Sequence, residues 1–530
     1  MKYNLLSIFN LFVLAVLGLL IFIFFYDKAF PQASLDMKIS KDDAQRVAQK
    51  FLEEQGFEVG DFRKAQVFDA DDLAAIYLQK TLGMERANQV IRSDVPVWFW
   101  MGRFFKPLQK EEFKVFVDPK GDILGFQRAL EEEKSGANLE QIQAQGKAED
   151  FLKGRINLSE YEKVEASSEK RKERTDHTFV WKKTNYNVLE GELRLRVVVQ
   201  GDEVGGFRQF FKVPEKFQRD FEKEQSTGGL LSIISFAVSL VLTFAALVVF
   251  IVKFKADDIR WKFAIVAAAV ILVLFFLGQI NAIPLINASY PTQIGYETFL
   301  TTIVVTTLIG GLIYGFVVLF TGASGDALTR EIFPKSVESF SLSILRGYLL
   351  SFILLGYLVV FYLISSKYFG VWLPLDSPYS NMLNTSLPFL YPLLVGFSAA
   401  VSEEFGFRFF AIPFFKKYLK NILLALLIPA TIWAFGHSSY LVNPVYIRGI
   451  ELTIVGLILG YFYMRYGILT TIITHYVINA ILVALPLLRS QNQYFLISGF
   501  LVVGLGLLPL IPTLYNTVRG RLHFLPNNRR

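Results

Sequence analysis

The sequence contains no cysteine and only four histidines among its 530 residues. Without cysteine, the chain cannot form a disulfide, hold zinc or iron–sulfur through thiolates, or use a thiol as a nucleophile. The four histidines leave room for one compact histidine-dependent site; they are His177, His437, His475 and His523. Any hydrolytic chemistry must therefore use water or a hydroxyl group as its nucleophile.

Charged residues are scarce outside one segment of the chain, residues 26–228. Acidic and basic residues nearly balance within that segment, so the net charge of +7 comes from the apolar remainder. The basic residues of the remainder stand in short clusters between hydrophobic runs, which is typical of membrane topology. We therefore expect a lipid bilayer, and no nucleic acid, as the partner of this part.

Long hydrophobic runs make up most of the remainder. Residues 5–25 are uncharged and long enough to cross a bilayer as a helix. This run lacks a clear small-residue cleavage site, so residues 1–25 are interpreted as an anchor rather than a cleaved signal peptide. Nine further spans bring the prediction to about ten. They lie near residues 229–252, 263–281, 298–321, 347–365, 387–413, 421–440, 447–464, 467–487 and 494–514.

Basic clusters follow every second predicted span. Their first members are Lys253, Arg330, Lys416, Arg465 and Arg519, with Lys335 close behind Arg330. Because cytoplasmic loops carry an excess of Lys and Arg, both termini are predicted to be cytoplasmic, including a basic tail at 516–530. Residues 26–228 then lie outside the cytoplasm, on a multi-pass protein of the cell membrane. Three residues depart from this pattern, namely Lys367, Arg448 and Arg489.

Residues 26–228 are expected to form a soluble α+β domain. Two segments with helical apolar spacing are each followed by β-rich sequence around a Gly-Asp turn. The helices are expected at 42–56 and 139–156, and the turns lie within 115–130 and 197–211. This order resembles the PepSY-type modules of bacterial extracytoplasmic proteins, with repeats at 38–135 and 136–215. Coincidence between two glycine turns is the alternative.

Three charged residues interrupt the apolar segment 388–415: Glu403, Glu404 and Arg408. A charged side chain at the bilayer centre costs roughly 2.5–3.5 kcal/mol on insertion scales, so such residues are functional candidates. Glu404 and Arg408 are four residues apart and can form an ion pair on one helical face. Glu403 points about 100° away and is free to take part in chemistry.

Two histidines fall in other apolar segments. His437 ends the run 422–436, and His475 lies in a later run with Asn479 one helical turn away on the same face. Each feature alone has a structural explanation, because such side chains often hydrogen-bond between membrane helices. Their joint occurrence with the charged residues on three predicted spans favours one functional site.

The order of these residues resembles the type II CAAX prenyl endopeptidases and their bacterial relatives, the CPBP intramembrane proteases. Residues 403–408 read EExxxR, residues 433–437 read FxxxH with tryptophan in the place of phenylalanine, and residues 475–479 read HxxxN. The resemblance covers about residues 340–490. It implies a CAAX-protease-like helical core at 336–515, with additional transmembrane helices at 229–335.

The resemblance implies peptide-bond hydrolysis without a metal. Glu403 would be the general base and would activate a water together with His437. His475 and Asn479 would stabilise the oxyanion, while Glu404 and Arg408 would hold the helix geometry. No cofactor is implied. Zinc bound by Glu403, His437 and His475 stays open, because one Glu and two His form a catalytic zinc ligand set.

The substrate expected from this resemblance is a membrane-embedded or lipid-anchored protein or peptide, with prenylation left open. The absence of cysteine and the appended outer domain point to a bacterial protein. Two alternatives belong to other functional classes. One is a proton-coupled transporter in which Glu403, His437 and His475 form a relay. The other is a non-catalytic immunity or scaffold protein whose soluble domain binds a partner.

Overall fold

A computed structural model describes residues 5–334, 339–373, 381–440 and 442–518. Lys335 and the basic tail from Arg519 onward lie outside the described residues. A soluble domain built on one β-sheet stands on a bundle of long apolar helices. The predicted class, a multi-pass helical membrane protein with an added α+β domain, is confirmed.

The soluble domain contains one eight-stranded antiparallel sheet. Its strands are β1 (Arg63–Ala70), β2 (Trp98–Phe105), β3 (Glu112–Val117), β4 (Ile123–Ala129), β5 (Tyr161–Lys170), β6 (Thr175–Val188), β7 (Gly191–Gln200) and β8 (Glu203–Lys212). The spatial order is β1-β2-β3-β4-β8-β7-β6-β5. The sheet therefore consists of two four-stranded meanders joined where β4 pairs with β8.

Four helices accompany the sheet: α2 (Lys41–Glu54), α3 (Asp72–Leu82), α4 (Met84–Ser93) and α5 (Gln141–Leu152). The α2 helix begins at a capping box, in which Ser40 and Asp43 satisfy each other's backbone N–H groups. Its face with Ala44, Ala48 and Leu52 is fully buried in the core of the sheet. The α2 helix precedes the first meander, and α5 precedes the second. Helices α3 and α4 lie between β1 and β2, and no helix lies at the equivalent place between β5 and β6. The PepSY-type repeat stays a prediction.

The helices outside the sheet domain are α1 (Leu5–Ala29), α6 (Glu215–Lys255), α7 (Trp261–Asn281), α8 (Ile283–Ala288), α9 (Tyr296–Ile332), α10 (Phe340–Phe369), α11 (Leu390–Glu403), α12 (Ala411–Leu419), α13 (Ile422–Phe435), α14 (Tyr446–Tyr466), α15 (Ile468–Leu488), α16 (Gln493–Leu507) and α17 (Leu510–Val518). Seven helices of the described residues are long and apolar enough to cross a membrane. They are α1, α6, α7, α9, α10, α14 and α15.

Among the described residues, length and composition alone thus identify seven of the about ten predicted spans. The predicted span 387–413 is divided into α11, a π-helical segment at Glu404–Phe410, and α12. The predicted span 421–440 holds only the 14-residue α13, and 494–514 holds the 15-residue α16 before a short helix. Hydropathy alone does not show where a helix ends or changes its winding, so the number of spans beyond these seven helices stays a prediction.

The α6 helix runs without a break through the predicted domain boundary between residues 228 and 229. It spans 41 residues, with a charged first part and an apolar second part. Phe217, near its start, packs on Tyr77 of the soluble domain. Lys253, near its end, pairs with Asp258 and Glu331. The soluble domain and this charged cluster thus lie at opposite ends of α6; their assignment to sides of the membrane stays a prediction.

The edge strand β1 is fixed to the helical bundle by Asn384. The Asn384 side chain accepts a hydrogen bond from the Phe68 backbone N–H and donates one to the Phe68 carbonyl at 3.1 Å. The neighbouring Met382 and Leu383 are buried in the core of the sheet domain. Asn281, at the end of α7, holds the next stretch through both backbone groups of Leu387. The segment leading into α11 is therefore held between the soluble domain and the bundle.

Candidate active site

The π-helical segment at Glu404–Phe410 carries two of the predicted site residues and follows directly after Glu403. Such π turns inside α-helices frequently occur at functional sites. Two glycines of α9 let this segment approach closely. A Cβ atom at Gly322 would lie 2.7 Å from the Phe405 ring, and one at Gly325 would lie 3.0 Å from the Phe409 backbone. The position of the segment therefore depends on close packing against α9.

Glu404 is the fully buried member of the carboxylate pair. Arg408 Nη1 donates to Glu404 Oε1 at 3.0 Å, so the two residues form the ion pair that their spacing predicts. His475 Nδ1 lies 3.0 Å from the same oxygen. Because a carboxylate in an ion pair accepts hydrogen bonds, Nδ1 is the donor here. Glu404 thereby joins the π segment to α15 and fixes the orientation of the His475 ring.

Glu403 is only partly enclosed, with 27% of its side chain exposed. Trp433 Nε1–H donates to Glu403 Oε2 at 2.5 Å, and His475 Nε2 lies 3.8 Å from the same oxygen. Among the described residues, Glu403 Oε1 has no hydrogen-bond partner. One carboxylate oxygen is thus held by the protein, and the other is open to a water or a substrate.

Trp433 lies between the two site histidines. Its ring centroid is 5.4 Å from that of His437 and 5.8 Å from that of His475, both edge-on. The Arg408 guanidinium lies 4.0 Å from the same ring, in a cation–π contact. Trp433 therefore touches every part of the site except Asn479 and Glu404. The sequence analysis treated Trp433 only as the residue in the place of the motif's phenylalanine; its N–H bond to Glu403 was missed.

His437 stands just beyond the end of α13. Its Nδ1 lies 2.9 Å from the Trp433 carbonyl oxygen, four residues earlier. Two serines of α6 fix the backbone around it: Ser232 donates to the Gly436 carbonyl and Ser235 to the Ile432 carbonyl. The Nδ1 contact leaves Nε2 as the nitrogen available for chemistry. The α6 helix, which begins in the soluble domain, thus supports the histidine of the second motif.

Asn479 is half-buried one turn beyond His475 on α15. A Cβ atom at Gly396 of α11 would lie 3.5 Å from the Asn479 Cβ, so the two helices are close at this point. In the described part of the chain, the Asn479 amide has no hydrogen-bond partner. The structure therefore brings Glu403, Glu404, Arg408, His437 and His475 into contact through Trp433 and Glu404. It places Asn479 beside them with a free amide.

No three His, Asp or Glu side chains of the described residues are arranged to share a metal ion. Glu403, His437 and His475 all contact Trp433. One atom of His475 and one atom of Glu403 are hydrogen-bonded to other protein groups. His475 Nδ1 bonds to Glu404, and Glu403 Oε2 bonds to the Trp433 indole. These bonds leave Glu403 Oε1 and the Nε2 atoms of both histidines open, so zinc at these three residues stays an untested alternative. Whether the chain acts without a cofactor stays a prediction.

Besides Glu404, a second carboxylate of the described helical bundle is buried, which the sequence analysis missed. Glu451 of α14 is 1% exposed and pairs with Arg448 at 2.6 Å. The Tyr362 hydroxyl donates to the same Glu451 oxygen at 3.4 Å. Arg448 therefore departs from the topology pattern because it has a buried partner. Its spacing of three residues from Glu451 is the signal that could have revealed the pair.

The part of the chain that resembles a known protein family coincides with the candidate site. The family model described as type II CAAX prenyl endopeptidase Rce1-like matches residues 385–481, which include all six predicted site residues. The sporulation-killing factor biosynthesis protein SkfC of Bacillus subtilis (strain 168) is 26% identical over 496 residues. That alignment covers 91% of this chain and 95% of SkfC. No solved structure matches the chain.

The family match supports an intramembrane protease in general terms, and it covers the α11-to-α15 region where the site residues meet. The similarity to SkfC extends through the soluble domain as well. The part of this multi-pass membrane protein that resembles the Rce1-like type II CAAX prenyl endopeptidase family is therefore residues 385–481.

Proposed function

We propose that this chain is an intramembrane endopeptidase that hydrolyses peptide bonds with a water activated by Glu403. The observation that carries the proposal is the contrast between two adjacent carboxylates. Glu404 is fully buried and bonded to Arg408 and His475, whereas Glu403 is partly exposed with one oxygen open. Two carboxylates in unlike surroundings are suited to unlike roles, one structural and one chemical.

In the proposed reaction, Glu403 Oε1 takes a proton from a water as the water oxygen attacks the scissile carbonyl carbon. The Trp433 N–H holds the other oxygen, Oε2, and so orients the carboxylate. His437 assists through Nε2, because its Nδ1 is engaged by the Trp433 carbonyl. The proton then passes from Glu403 to the leaving amine as the C–N bond breaks, so that no protein group is consumed.

The tetrahedral intermediate needs hydrogen-bond donors at its oxyanion. The Asn479 amide is free to donate, and His475 would donate through Nε2–H. Because His475 Nδ1–H is already given to Glu404, this role requires the doubly protonated imidazole. Loss of one oxyanion donor typically lowers the rate by about 10²–10³-fold. Both donors stand on α15, one turn apart, so they can reach one oxygen.

The proposed substrate is a membrane-embedded or lipid-anchored protein or peptide, since the site lies among apolar helices. The similarity to SkfC, which is named as a biosynthesis protein of the sporulation-killing factor, favours a maturation step for a factor made by the same cell. The chain would be a multi-pass protein of the cell membrane, with residues 26–228 outside the cytoplasm. The proposed roles of the site residues do not depend on a prenyl group in the substrate.

The test compares the membrane proteome of cells carrying the wild type with that of cells carrying Glu403→Gln. We expect at least one membrane-associated protein or peptide to lose its processed form in the variant. Glu297→Gln is the matched control, because Glu297 is an exposed carboxylate at the start of α9. The control should retain processing with the same loss of one negative charge.

Incubation of the purified wild-type protein with the substrate so identified must then reproduce the cleavage. Unchanged processing in Glu403→Gln cells that contain normal amounts of inserted protein would refute the assignment of the base. Proton-coupled flux through the wild type in liposomes, together with no cleaved substrate, would favour the transporter instead.

A further inference from the structure

Two segments outside the family-matched residues 385–481 contact the loop that begins with His437 and its neighbours. The described part of this loop is residues 436–440 and 442–445. One of the two segments is α6. The other, which we name the strap, is the short stretch 371–373, which follows Gly370 at the end of α10. The course of the His437 loop therefore depends on parts of the chain that lie outside residues 385–481.

The α6 helix meets the loop at Gly228. A Cβ atom at this position would clash with the Ser438 carbonyl oxygen, so the two backbones are in close contact. A Cβ atom at the next residue, Gly229, would meet no atom within 4 Å. The two serines of α6 that bond to carbonyls before His437 follow Gly228 by four and seven residues, on the same helical face. One face of α6 therefore fixes the backbone on both sides of His437.

The strap pairs with the loop at Asn443. Trp372 and Asn443 form an antiparallel β-bridge, in which the backbone N–H of each residue donates to the carbonyl of the other at 3.1 Å. Val371 and Leu373, on either side of Trp372, lie in one buried cluster with Val442 of the loop. The strap therefore holds the far end of the loop, whereas α6 holds the end that carries His437.

Both segments are fixed to α3 of the soluble domain. Ile76 of α3, Phe221 of α6 and Trp372 of the strap form one buried cluster. The Phe221 and Trp372 ring centroids are 5.8 Å apart. The side-chain oxygen of Gln79, a buried residue of α3, accepts a hydrogen bond from the Leu373 N–H at 3.2 Å. Phe221 stands two helical turns before the loop contact of α6, on the same face, so one face of this helix touches both α3 and the loop.

We propose that the soluble domain is a positioning element of the proposed active site, because its α3 helix holds the His437 loop through α6 and the strap. The hydrogen bond of the His437 ring is local, to the carbonyl four residues earlier, so it restrains the ring and not the course of the loop. A misplacement of about 1 Å at a catalytic group can lower a rate by about 10²-fold. A change in the soluble domain that moves α3 should therefore change the rate of cleavage. This inference rests on the proposed function and adds Gly228, Trp372 and Gln79 to it as positioning residues.

Adjacent glycines of α6 provide the first test. Gly228→Ala must shift the Ser438 backbone, whereas Gly229→Ala meets no atom and changes the helix propensity equally. The assay uses purified full-length protein and the substrate whose processed form is lost in Glu403→Gln cells. Gly228→Ala should lower kcat by about tenfold or more, with little change in KM, and Gly229→Ala should cleave as the wild type does. A wild-type kcat in Gly228→Ala would overturn the proposal.

A double-mutant cycle separates the positioning of His437 from a general loss of stability. His437 assists Glu403 in the proposed reaction, so His437→Ala should retain residual cleavage. If Gly228 acts through His437, adding Gly228→Ala to His437→Ala should cause no further loss, because the positioned group is already absent. If the two losses multiply instead, Gly228 acts on the fold alone and is not a positioning residue.

Hydrogen exchange tests the contribution of the soluble domain without any need for cleavage. Gln79→Leu removes the acceptor of the Leu373 N–H at a similar side-chain volume, and the control Gln89→Leu changes an exposed glutamine of α4. Mass spectrometry of the full-length protein should show severalfold faster exchange in the His437 loop of Gln79→Leu and wild-type exchange in the control.

Unchanged exchange in the loop of Gln79→Leu would overturn the role of the soluble domain. This measurement also distinguishes the two proposals. A wild-type protein that cleaves nothing refutes the proposed peptidase, while the exchange rates still decide whether α3 holds the His437 loop.

Discussion

His475 lies between the two adjacent carboxylates and contacts them through different nitrogens. Its Nδ1 is 3.0 Å from Glu404 Oε1, and its Nε2 is 3.8 Å from Glu403 Oε2. The first contact is fully enclosed and shared with Arg408, whereas the second is at the partly exposed carboxylate. A single imidazole therefore connects the structural half of the site to its proposed chemical half.

The isosteric change Glu404→Gln should destabilise the protein much more than the same change at Glu403. Glutamine at residue 404 would leave the Arg408 guanidinium buried without its counter-charge, and breaking a buried pair this way costs about 3–5 kcal/mol. Glu403 is partly exposed, and no Arg or Lys of the described residues pairs with it; only His475 Nε2 lies near, at 3.8 Å. Thermal unfolding of both variants in the same detergent checks this. Equal midpoints would show that the Glu404–Arg408 pair contributes little to stability.

Replacement of Trp433 by phenylalanine should lower activity without unfolding the protein. Phenylalanine keeps a ring between His437 and His475 and restores the usual FxxxH residue, but it removes the N–H donor to Glu403 Oε2. A hydrogen bond to a charged group contributes about 1.5–3 kcal/mol, so we expect a decrease in kcat of roughly tenfold or more. The measurement is steady-state cleavage of the identified substrate.

The control for this change is Trp261→Phe, since Trp261 is 40% exposed at the start of α7. It should leave kcat unchanged. If Trp433→Phe cleaves at the wild-type rate, the indole N–H does not orient the general base.

The sequence was sufficient to identify the candidate residues that the structure brings together, because charged side chains are costly in a membrane. Glu403, Glu404 and Arg408 stand out against an apolar background, and their helical spacing predicts the Glu404–Arg408 contact that the structure contains. The spacing could not predict that His475 bonds to Glu404, because that contact joins segments 71 residues apart. Contacts across helices depend on how the helices cross, and a single sequence contains no direct signal for that.

The sequence also did not predict the π-helical winding that follows α11. Residues 387–413 have the composition of one span, yet the structure inserts a π-helical segment directly after Glu403. The segment is fixed from outside, by Phe405 and Phe409 against the glycines of α9. In the same way, nothing in the apolar pattern shows that Ser232 and Ser235 of α6 hold the backbone before His437.

The substitution Gly325→Val should displace the π segment and reduce both stability and activity. A Cβ atom at Gly325 would lie 2.8 Å from the Phe409 ring and 3.0 Å from its backbone, so the segment must shift. Overpacking of this kind typically costs about 1–3 kcal/mol. Gly278→Val on α7 is the control, because a Cβ atom there meets no atom within 4 Å. Similar unfolding midpoints and cleavage rates in both variants would contradict the role of this contact.

Removing the Asn384 side chain should loosen the soluble domain from the helical bundle. Asn384→Ala leaves the Phe68 N–H and carbonyl at the β1 edge without their partners, and each unsatisfied buried group costs about 1–3 kcal/mol. Hydrogen exchange by mass spectrometry should show faster exchange across β1 and the segment 381–390. Exchange at β7 should be unaffected, because β7 lies five strands away from β1 in the sheet. Asn157→Ala is the control, as its side chain bonds only within its own turn. Unchanged exchange at β1 in the Asn384 variant would mean that the apolar contacts of Met382 and Leu383 hold the junction by themselves.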